Sequence, residues 1–427
     1  MGMSTKKLIQ MRQTAIAFFL SVSAVFLFWL ISPSLSATQP LQVQHFDRIW
    51  ETVRDRFYDP QFKGKDWSAL KEQYRPQVQQ AKSPEETSRI VNQMLAELQT
   101  SHTYYYTPDN PAYYQIWAIF APRLPELQEN LKQYFPNGKI EYPGIGIFTQ
   151  DQGGKTFISS LVEGSPAATA GLQIGDRILN VDGRPFHPLH SFEGQVGEAV
   201  NIRIERSPNS QQEIRVIPKR FDASTQFLDA QNASIQILER QGKKLGYIHM
   251  WSYANAQYQQ KLEEELLYGR LRQADGLILD LRDGWGGSPT TVLNIYTGRG
   301  PSLTNITRDG KRYTNVSTWE KPVVMIVNEG SRSAKEVLAY GFQAYNIGPV
   351  VGTKTAGAVV AGRPFLMSDG SLLYLAVADV YVDGDTRLEG VGVTPDIEVP
   401  FSLPYAQGAD PQKETALQVL LQEIQQS

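Results

Sequence analysis

The chain has 427 residues, of which 41% are hydrophobic and 20% are charged, and this balance is ordinary for a globular protein of two or three domains. The formal net charge of -3 argues against nucleic acid as a partner. Cysteine is absent from the sequence, which excludes disulfides, thiolate metal sites and a cysteine nucleophile.

The first 36 residues have the pattern of a targeting segment. Three basic residues precede an uncharged run over 14–32, and the small residues Ser34 and Ser36 suit cleavage before Ala37. The run is also close to the ~20 residues that span a bilayer, so a retained membrane anchor is the alternative to a cleaved signal. Either case predicts an extracytoplasmic protein (periplasmic, lumenal or secreted) that touches a membrane only through this segment.

Residues 40–140 are predicted to form a helical region. Apolar residues at helical spacing predict a helix between Phe46 and Phe57. Ser83, Pro84 and Glu86 are typical of a helix start, with a capping serine and a proline in the first turn. That helix leads to His102, which in isolation is an ordinary hydrogen-bonded or surface histidine. The tyrosines after it would suit the wall of a cleft.

Residues 141–222 are rich in glycine and in strand-forming residues. A glycine-rich turn leads into a strand, and Ser165 with Pro166 starts a short helix. The order of these features resembles a PDZ domain. The second helix of that fold, one wall of its peptide groove, has no counterpart between Pro185 and Val200, so peptide capture stays open, and His187 and His190 are predicted to be loop residues. The resemblance places these residues in the carboxylate-binding loop: Gly144, Ile145, Gly146 and Ile147.

Residues 223–427 contain two short apolar runs that predict buried strands, at 276–281 and 321–327. A glycine turn with Gly286 and Gly287 follows the first run. A turn of this kind is usually only a turn, but its amides are free to approach a substrate oxygen.

The second buried run is followed by Ser333, where an apolar helical stripe begins. Ser333 and Glu336 fit a capping box, which is a purely structural interpretation. The functional interpretation is that Ser333 is a nucleophile, with the free amide of Ala334 available to an oxyanion. The local motif does not decide between them.

The order of motifs along the chain resembles the carboxyl-terminal processing peptidase family. The segments that carry this resemblance are TSH at 100–102, LDLRDGWGGS at 279–288, VNEGSRSAKE at 327–336, GTKTAGA at 352–358 and EGVGVTPDIEV at 389–399. The resemblance implies a mixed α/β fold, with an N-terminal helical cap, a PDZ-like module and a crotonase-like spiral of stacked strand and helix repeats as the catalytic core.

The resemblance also implies which residues act. One branch of the family uses a lysine base, and the matching position here is Ala358, while Lys335 and Lys354 are offset from it. The tricorn-like branch uses a Ser-His pair and a glutamate, which match Ser101, His102 and Glu389. His102 would be the base for Ser333, Ser101 and Glu389 would orient it, and Ala334 with Gly286 or Gly287 would hold the oxyanion.

The sequence therefore predicts an exported serine peptidase that acts on proteins or peptides, without a metal or an organic cofactor. An imidazole with an ordinary pKa near ~6.5 predicts an acidic limit of activity at roughly pH 6 to 7. The alternative is an inactive binding or scaffold protein of the same fold, such as a retinoid-binding relative or a PDZ adaptor. The deciding observation is whether His102 and Ser333 meet. Substrate preference and oligomeric state do not follow from the sequence.

Overall fold

The computed structural model describes residues 41–287, 291–298 and 302–427. The targeting segment predicted over residues 1–36 lies outside these ranges. Within them, no helix has both the length and the apolar character needed to cross a membrane.

The N-terminal region is helical, as predicted. Ser83 caps its third helix, since its hydroxyl accepts the amide of Glu86 at 3.2 Å. The apolar faces of the first three helices pack against Leu373 and Leu375 of a hairpin formed much later in the sequence, so the N-terminal helices and this hairpin share one core. The elements are α1 (Leu41–Arg56), α2 (Trp67–Gln80), α3 (Pro84–Ala96), β1 (Tyr104–Tyr106), α4 (Pro111–Phe120) and α5 (Pro125–Tyr134).

The PDZ-like module is a five-stranded sheet in the order β3-β4-β5-β6-β7, with its own apolar core. Strand β3 lies at the edge of this sheet. The short helix predicted at Ser165 is present, and no second helix lies between β5 and β6. The elements are β2 (Glu141–Gly144), β3 (Ile147–Gln152), β4 (Lys155–Leu161), α6 (Pro166–Ala170), β5 (Arg177–Val181), β6 (Val200–Ser207), β7 (Ser210–Val216) and β8 (Lys219–Asp222).

The core is built on a six-stranded sheet. Its central strands are buried along their whole length, as their unbroken apolar sequences predict. The elements are α7 (Gln226–Ser234), β9 (Gln236–Arg240), β10 (Lys243–His249), α8 (Ala256–Leu267), β11 (Gly276–Asp280), β12 (Leu303–Ile306), β13 (Arg312–Asn315), β14 (Val323–Val327), α9 (Ala334–Ala344), β15 (Val350–Gly352), β16 (Ala361–Leu366), β17 (Leu372–Ala378), β18 (Ile397–Glu398) and α10 (Pro411–Gln426).

The order of this sheet is β18-β15-β14-β11-β10-β9. Within this sheet, each strand therefore lies next to the strand of the same sheet that follows it in the sequence. All pairs are parallel except β9 with β10. Asp280 at the end of β11 pairs with Ile326 near the end of β14. The turns that leave these two strands therefore lie together at one edge of the sheet, the usual place for a site in a parallel sheet.

Two details differ from the sequence prediction. The sequence from about Ala256 predicts a single helix to about Arg272, but α8 ends at Leu267, and beyond its end the amide of Arg270 donates to the carboxylate of Glu265 at 2.9 Å. The hairpin β12–β13 was not predicted at all. The predicted domain limits (40–140, 141–222 and 223–427) remain a prediction.

Candidate active site

Ser333 lies at the junction of the turn after β14 and helix α9. Its φ of 59° and ψ of -126° lie outside the regions that serine ordinarily adopts. Two acceptors hold the backbone there, since the amide of Ser333 faces the carbonyl of Ala358 at 2.9 Å and the carboxylate of Glu336 at 3.1 Å. Strain that is fixed by its surroundings is typical of functional positions.

Glu336 does more than the capping box requires. Its buried carboxylate also accepts hydrogen bonds from the Thr355 hydroxyl at 2.6 Å and from the amides of Gly357 and Ala358, both at 2.7 Å. Burial raises the pKa of Glu336. The glutamate thus ties the turn over residues 355–358 to the amide of Ser333.

His102 belongs to the loop between α3 and β1, and it also has a positive φ, of 53°. Its Nδ1 lies 2.9 Å from the hydroxyl of Ser101, and its ring centroid lies 5.4 Å from that of Tyr374. Burial, together with the positive charge of Arg332, lowers the pKa of His102 to about 4. The imidazole is therefore neutral at pH 7, as a general base must be.

Glu389 fixes the orientation of the Ser-His pair. One carboxylate oxygen accepts the Ser101 hydroxyl at 2.8 Å and the amide of Val359 at 2.7 Å, and the other accepts the Ser101 amide at 2.8 Å. Because the Ser101 proton points to the carboxylate, the Ser101 oxygen is left to accept a proton from Nδ1 of His102. This tautomer leaves Nε2 of His102 unprotonated.

The glycine turn after β11 lies against Ser333. A Cβ built on Gly286 would lie 2.6 Å from Cβ of Ser333 and 2.9 Å from its hydroxyl oxygen, so only glycine leaves room beside the serine. Within the described ranges, the amides of Gly286, Gly287 and Ala334 have no hydrogen-bond acceptor. Free amides around a serine hydroxyl are the composition of an oxyanion hole.

His102, Ser333, Ala334, Gly286 and Gly287 all line one cavity of about 540 Å³, here called the catalytic cavity. The predicted nucleophile, base and oxyanion donors therefore meet at one place. No hydrogen bond joins the imidazole of His102 to the hydroxyl of Ser333 in the part of the chain that the structure describes. Such bonds often form only when a substrate closes the site.

The lysines near Ser333 do not face this cavity. Lys335 is fully buried, and its ammonium group donates to the backbone carbonyls of Arg282, at 3.4 Å, and Asp283, behind the glycine turn. Burial lowers the pKa of Lys335 to about 7. Lys354 is exposed and also lies outside the cavity lining. Ala358, where the lysine branch has its base, contacts the Ser333 amide through its carbonyl.

The loop over residues 144–147 lines a second cavity of about 460 Å³, here called the PDZ cavity. Gly146 has a φ of 79°, and the amides of Ile145 and Gly146 have no acceptor among the described residues. Pro111, Ala112 and Gln115 of α4 also line this cavity. The N-terminal region thus contributes one wall of the PDZ cavity.

His187 and His190 lie in a loop, as predicted, with their rings stacked at 4.0 Å. His190 pairs with Asp109 at 2.9 Å. Among the described residues, no group of three or more histidine and carboxylate side chains is placed to hold a metal ion.

Sequence reasoning missed Arg332 and Trp285, which line both cavities. Arg332 directly precedes the serine in GSRSAK, and Trp285 interrupts the glycine turn. A large cationic residue and a large aromatic one, each inside a functional motif, were the available signals.

Three parts of the chain are similar to known protein families. Residues 244–399 match the family model for peptidase family S41, residues 43–96 match the Tricorn protease C1 domain, and residues 157–206 match a PDZ domain. Residues 244–399 are thus similar to the peptidase domain of family S41. The resemblance to carboxyl-terminal processing and tricorn-like peptidases is confirmed, and so is the mixed α/β fold with helical, PDZ and peptidase parts.

Among relatives of this chain, a tricorn protease homolog of Streptomyces coelicolor is 26% identical over 89% of the chain and 32% of that protein. A carboxyl-terminal-processing protease of Synechocystis sp. is 28% identical over 87% of the chain and 85% of that protein. The chain thus spans about a third of the length of its tricorn relative and most of the length of the other.

A solved structure supports the fold. The crystal structure of the tricorn protease superposes with a TM-score of 0.52 at 19% identity, over 90% of this chain and 37% of that chain.

Proposed function

We propose that this chain is an exported serine peptidase that hydrolyses peptide bonds in protein or peptide substrates, with Ser333 as nucleophile and His102 as base. The observation that carries the proposal is the continuous hydrogen-bonded chain from Glu389 through Ser101 to His102, which ends in the cavity that Ser333 lines. Family S41 membership of residues 244–399 supports the reaction class.

In the first step, Nε2 of His102 takes the proton from the Ser333 hydroxyl as its oxygen attacks the substrate carbonyl. Negative charge then develops on the carbonyl oxygen, where the free amides of Ala334 and of Gly286 or Gly287 stabilise it. Each oxyanion donor of this kind contributes about 10²- to 10³-fold to kcat. His102 then passes its proton to the leaving amine, which departs from the acyl enzyme.

In the second step, a water molecule attacks the acyl enzyme, and His102 again accepts and returns the proton. Ser101 and Glu389 keep Nδ1 protonated throughout, so that Nε2 is the nitrogen that takes up and returns the proton in each step. The remaining lining of the catalytic cavity is largely apolar, which suits an apolar substrate side chain next to the cleaved bond. Examples of these lining residues are Leu293, Val337, Leu338, Val359 and Val360.

Export is part of the proposal because of the basic, uncharged and small-residue pattern over residues 1–37. Cell fractionation with mass measurement of the isolated protein tests it. A chain that starts near Ala37 outside the cytoplasm indicates a cleaved signal, and a full-length chain in the membrane indicates an anchor. A full-length chain in the cytoplasm contradicts export.

A fluorophosphonate probe, which reacts with activated serines, tests the catalytic assignment. The parent protein should be labelled and Ser333→Ala should not be, while the free energy of unfolding falls by only about 0.5 to 2 kcal/mol for loss of a helix cap. Ser368→Ala, outside both cavities, is the matched control and should label like the parent. A folded parent that neither labels nor cleaves peptides would support the inactive binding protein instead.

A further inference from the structure

Arg332 lies at the boundary between the catalytic cavity and the PDZ cavity. Its side chain is half-buried and lines both of them, as does Trp285. Because Arg332 lines both cavities, a peptide that extends from one cavity into the other lies close to this side chain.

The guanidinium group of Arg332 is held in place from two sides. Its Cζ lies 4.4 Å from the ring centroid of Trp285, and its Nε donates to the carbonyl of Gly284 at 3.1 Å. Trp285 is itself fixed, since its indole nitrogen donates to the side chain of Gln115 in α4 at 2.7 Å. These contacts fix the plane of the guanidinium group and occupy Nε, and they leave both terminal nitrogens available.

No carboxylate neutralises this cation in the described part of the chain. Arg332 forms no ion pair there, although most other half-buried arginines do. The acidic residues that line the two cavities are engaged elsewhere, since Asp109 pairs with His190 at 2.9 Å and Asp383 faces the Tyr345 hydroxyl at 3.3 Å. A fixed, partly desolvated guanidinium group without an anion favours binding of one.

We propose that Arg332 is a carboxylate-binding subsite that selects peptides placing a carboxylate at the boundary of the two cavities. The planar fork of a guanidinium group matches the two oxygens of a carboxylate, which a lysine cannot do. The carboxylate can come from the free C-terminus of a peptide or from an aspartate or glutamate side chain. The proposal rests on the peptidase function proposed above, for which it names the substrate class.

Binding to Ser333→Ala tests the subsite without hydrolysis. The probe is a fluorescent hexapeptide of alanine and leucine, made as the free acid and as the C-terminal amide. Two further amides carry glutamate or glutamine as their last residue. The free acid should bind about tenfold more tightly than the amide if the C-terminus is the source, and the glutamate peptide should exceed the glutamine peptide by a similar factor if a side chain is.

Substitution of the arginine should remove this preference. In the Ser333→Ala background, Arg332→Gln should bring the affinity ratios close to one, and Arg332→Lys should retain only part of them. Arg123→Gln is the matched control, because Arg123 also lines the catalytic cavity but donates to the carbonyl of Ala254. It should keep the full ratio. Equal binding of all four peptides, or a preference that persists in Arg332→Gln, would overturn the proposal.

Hydrolysis by the parent protein separates this inference from the proposed function. If the parent cleaves the peptides without regard to their carboxylates, the peptidase function holds and the subsite is wrong. If the parent cleaves none of them but Ser333→Ala still binds the carboxylate peptides through Arg332, the subsite holds and the peptidase function is wrong. Thermal unfolding of each variant establishes that it is folded.

Discussion

Two clusters of titratable groups flank Ser333, and they differ in what they face. The front cluster, Glu389, Ser101 and His102, ends in the catalytic cavity. The rear cluster, Lys335, Asp283, His249 and Glu163, lies behind the glycine turn. There His249 contacts Glu163 at 2.8 Å and the carbonyl of Arg282 at 3.0 Å. Lys335 is buried and His102 is half-buried, and both have lowered pKa values.

The pKa values alone would favour the rear cluster over the proposed base, His102. The pKa of Lys335, about 7, is close to the ideal for a base at neutral pH, whereas that of His102 is about 4. Yet Lys335 points at backbone carbonyls and His102 lines the cavity. A perturbed pKa therefore reports burial first, and the base is identified by the surface that it faces.

The rear cluster has a structural task. The Asp283 carboxylate accepts hydrogen bonds from the Ser160 hydroxyl of the PDZ-like module at 2.8 Å and from the side-chain amide of Asn328 at 3.1 Å. Glu163 of the same module accepts from the indole of Trp251 and from His249. These contacts join the PDZ-like module to the turn that carries Gly286 and Gly287.

The largest expected effect distinguishes the front cluster from the rear cluster by activity. His102→Ala should lower kcat/KM by about 10²- to 10⁴-fold, because no other group takes the proton of Ser333. Lys335→Met should leave kcat/KM within about tenfold of the parent, but it should destabilise the fold by about 1 to 3 kcal/mol, because buried carbonyls lose their donor.

The measurements are peptide hydrolysis and urea unfolding for both variants. A folded Lys335→Met without activity, together with an active His102→Ala, would reverse the assignment of the two clusters.

A smaller effect is expected for Glu389, which contacts the proposed base His102 only through Ser101. Three hydrogen-bond donors converge on the Glu389 carboxylate, and an amide in its place would oppose a donor with a donor. Glu389→Gln should therefore lower kcat/KM by about 10- to 100-fold, the usual cost of losing a group that orients a histidine, without abolishing activity. Steady-state kinetics against the exposed control Glu398→Gln measure this. Parent-like rates in Glu389→Gln would remove the glutamate from the front cluster.

The sequence predicts some elements and site residues from local patterns and others only through the resemblance to known motifs. Unbroken apolar runs predict β11 and β14, and the cap residues Ser83 and Pro84 predict α3, because these signals are local. The likeness to known motifs singles out Ser101, His102, Ser333 and Glu389 as a set. Only the fold brings residues 101 and 389, which are 288 positions apart in the sequence, within hydrogen-bonding distance.

Other features depend on contacts that no local pattern contains. The position of Arg332 between two cavities requires the packing of Trp285 on α4. The lowered pKa of His102 depends on its burial and on Arg332. The sequence alone predicts an ordinary imidazole with a limit at roughly pH 6 to 7, whereas the environment of His102 in the structure predicts a limit at a lower pH.

The smallest expected effect is on the pH dependence of kcat/KM, which distinguishes a base in the front cluster from one in the rear cluster. A base works in its neutral form, so kcat/KM falls when the pH drops through its pKa. With His102 at about 4, the free enzyme should keep about 90% of its activity at pH 5, whereas a base at about 7, the value for Lys335, would lose about a hundredfold there. A pH profile of kcat/KM from pH 4 to 9, on a peptide without titratable groups, measures the limit. Lys335→Met should show the same acidic limit as the parent. An acidic limit near pH 7 that disappears in Lys335→Met would assign the base to the rear cluster.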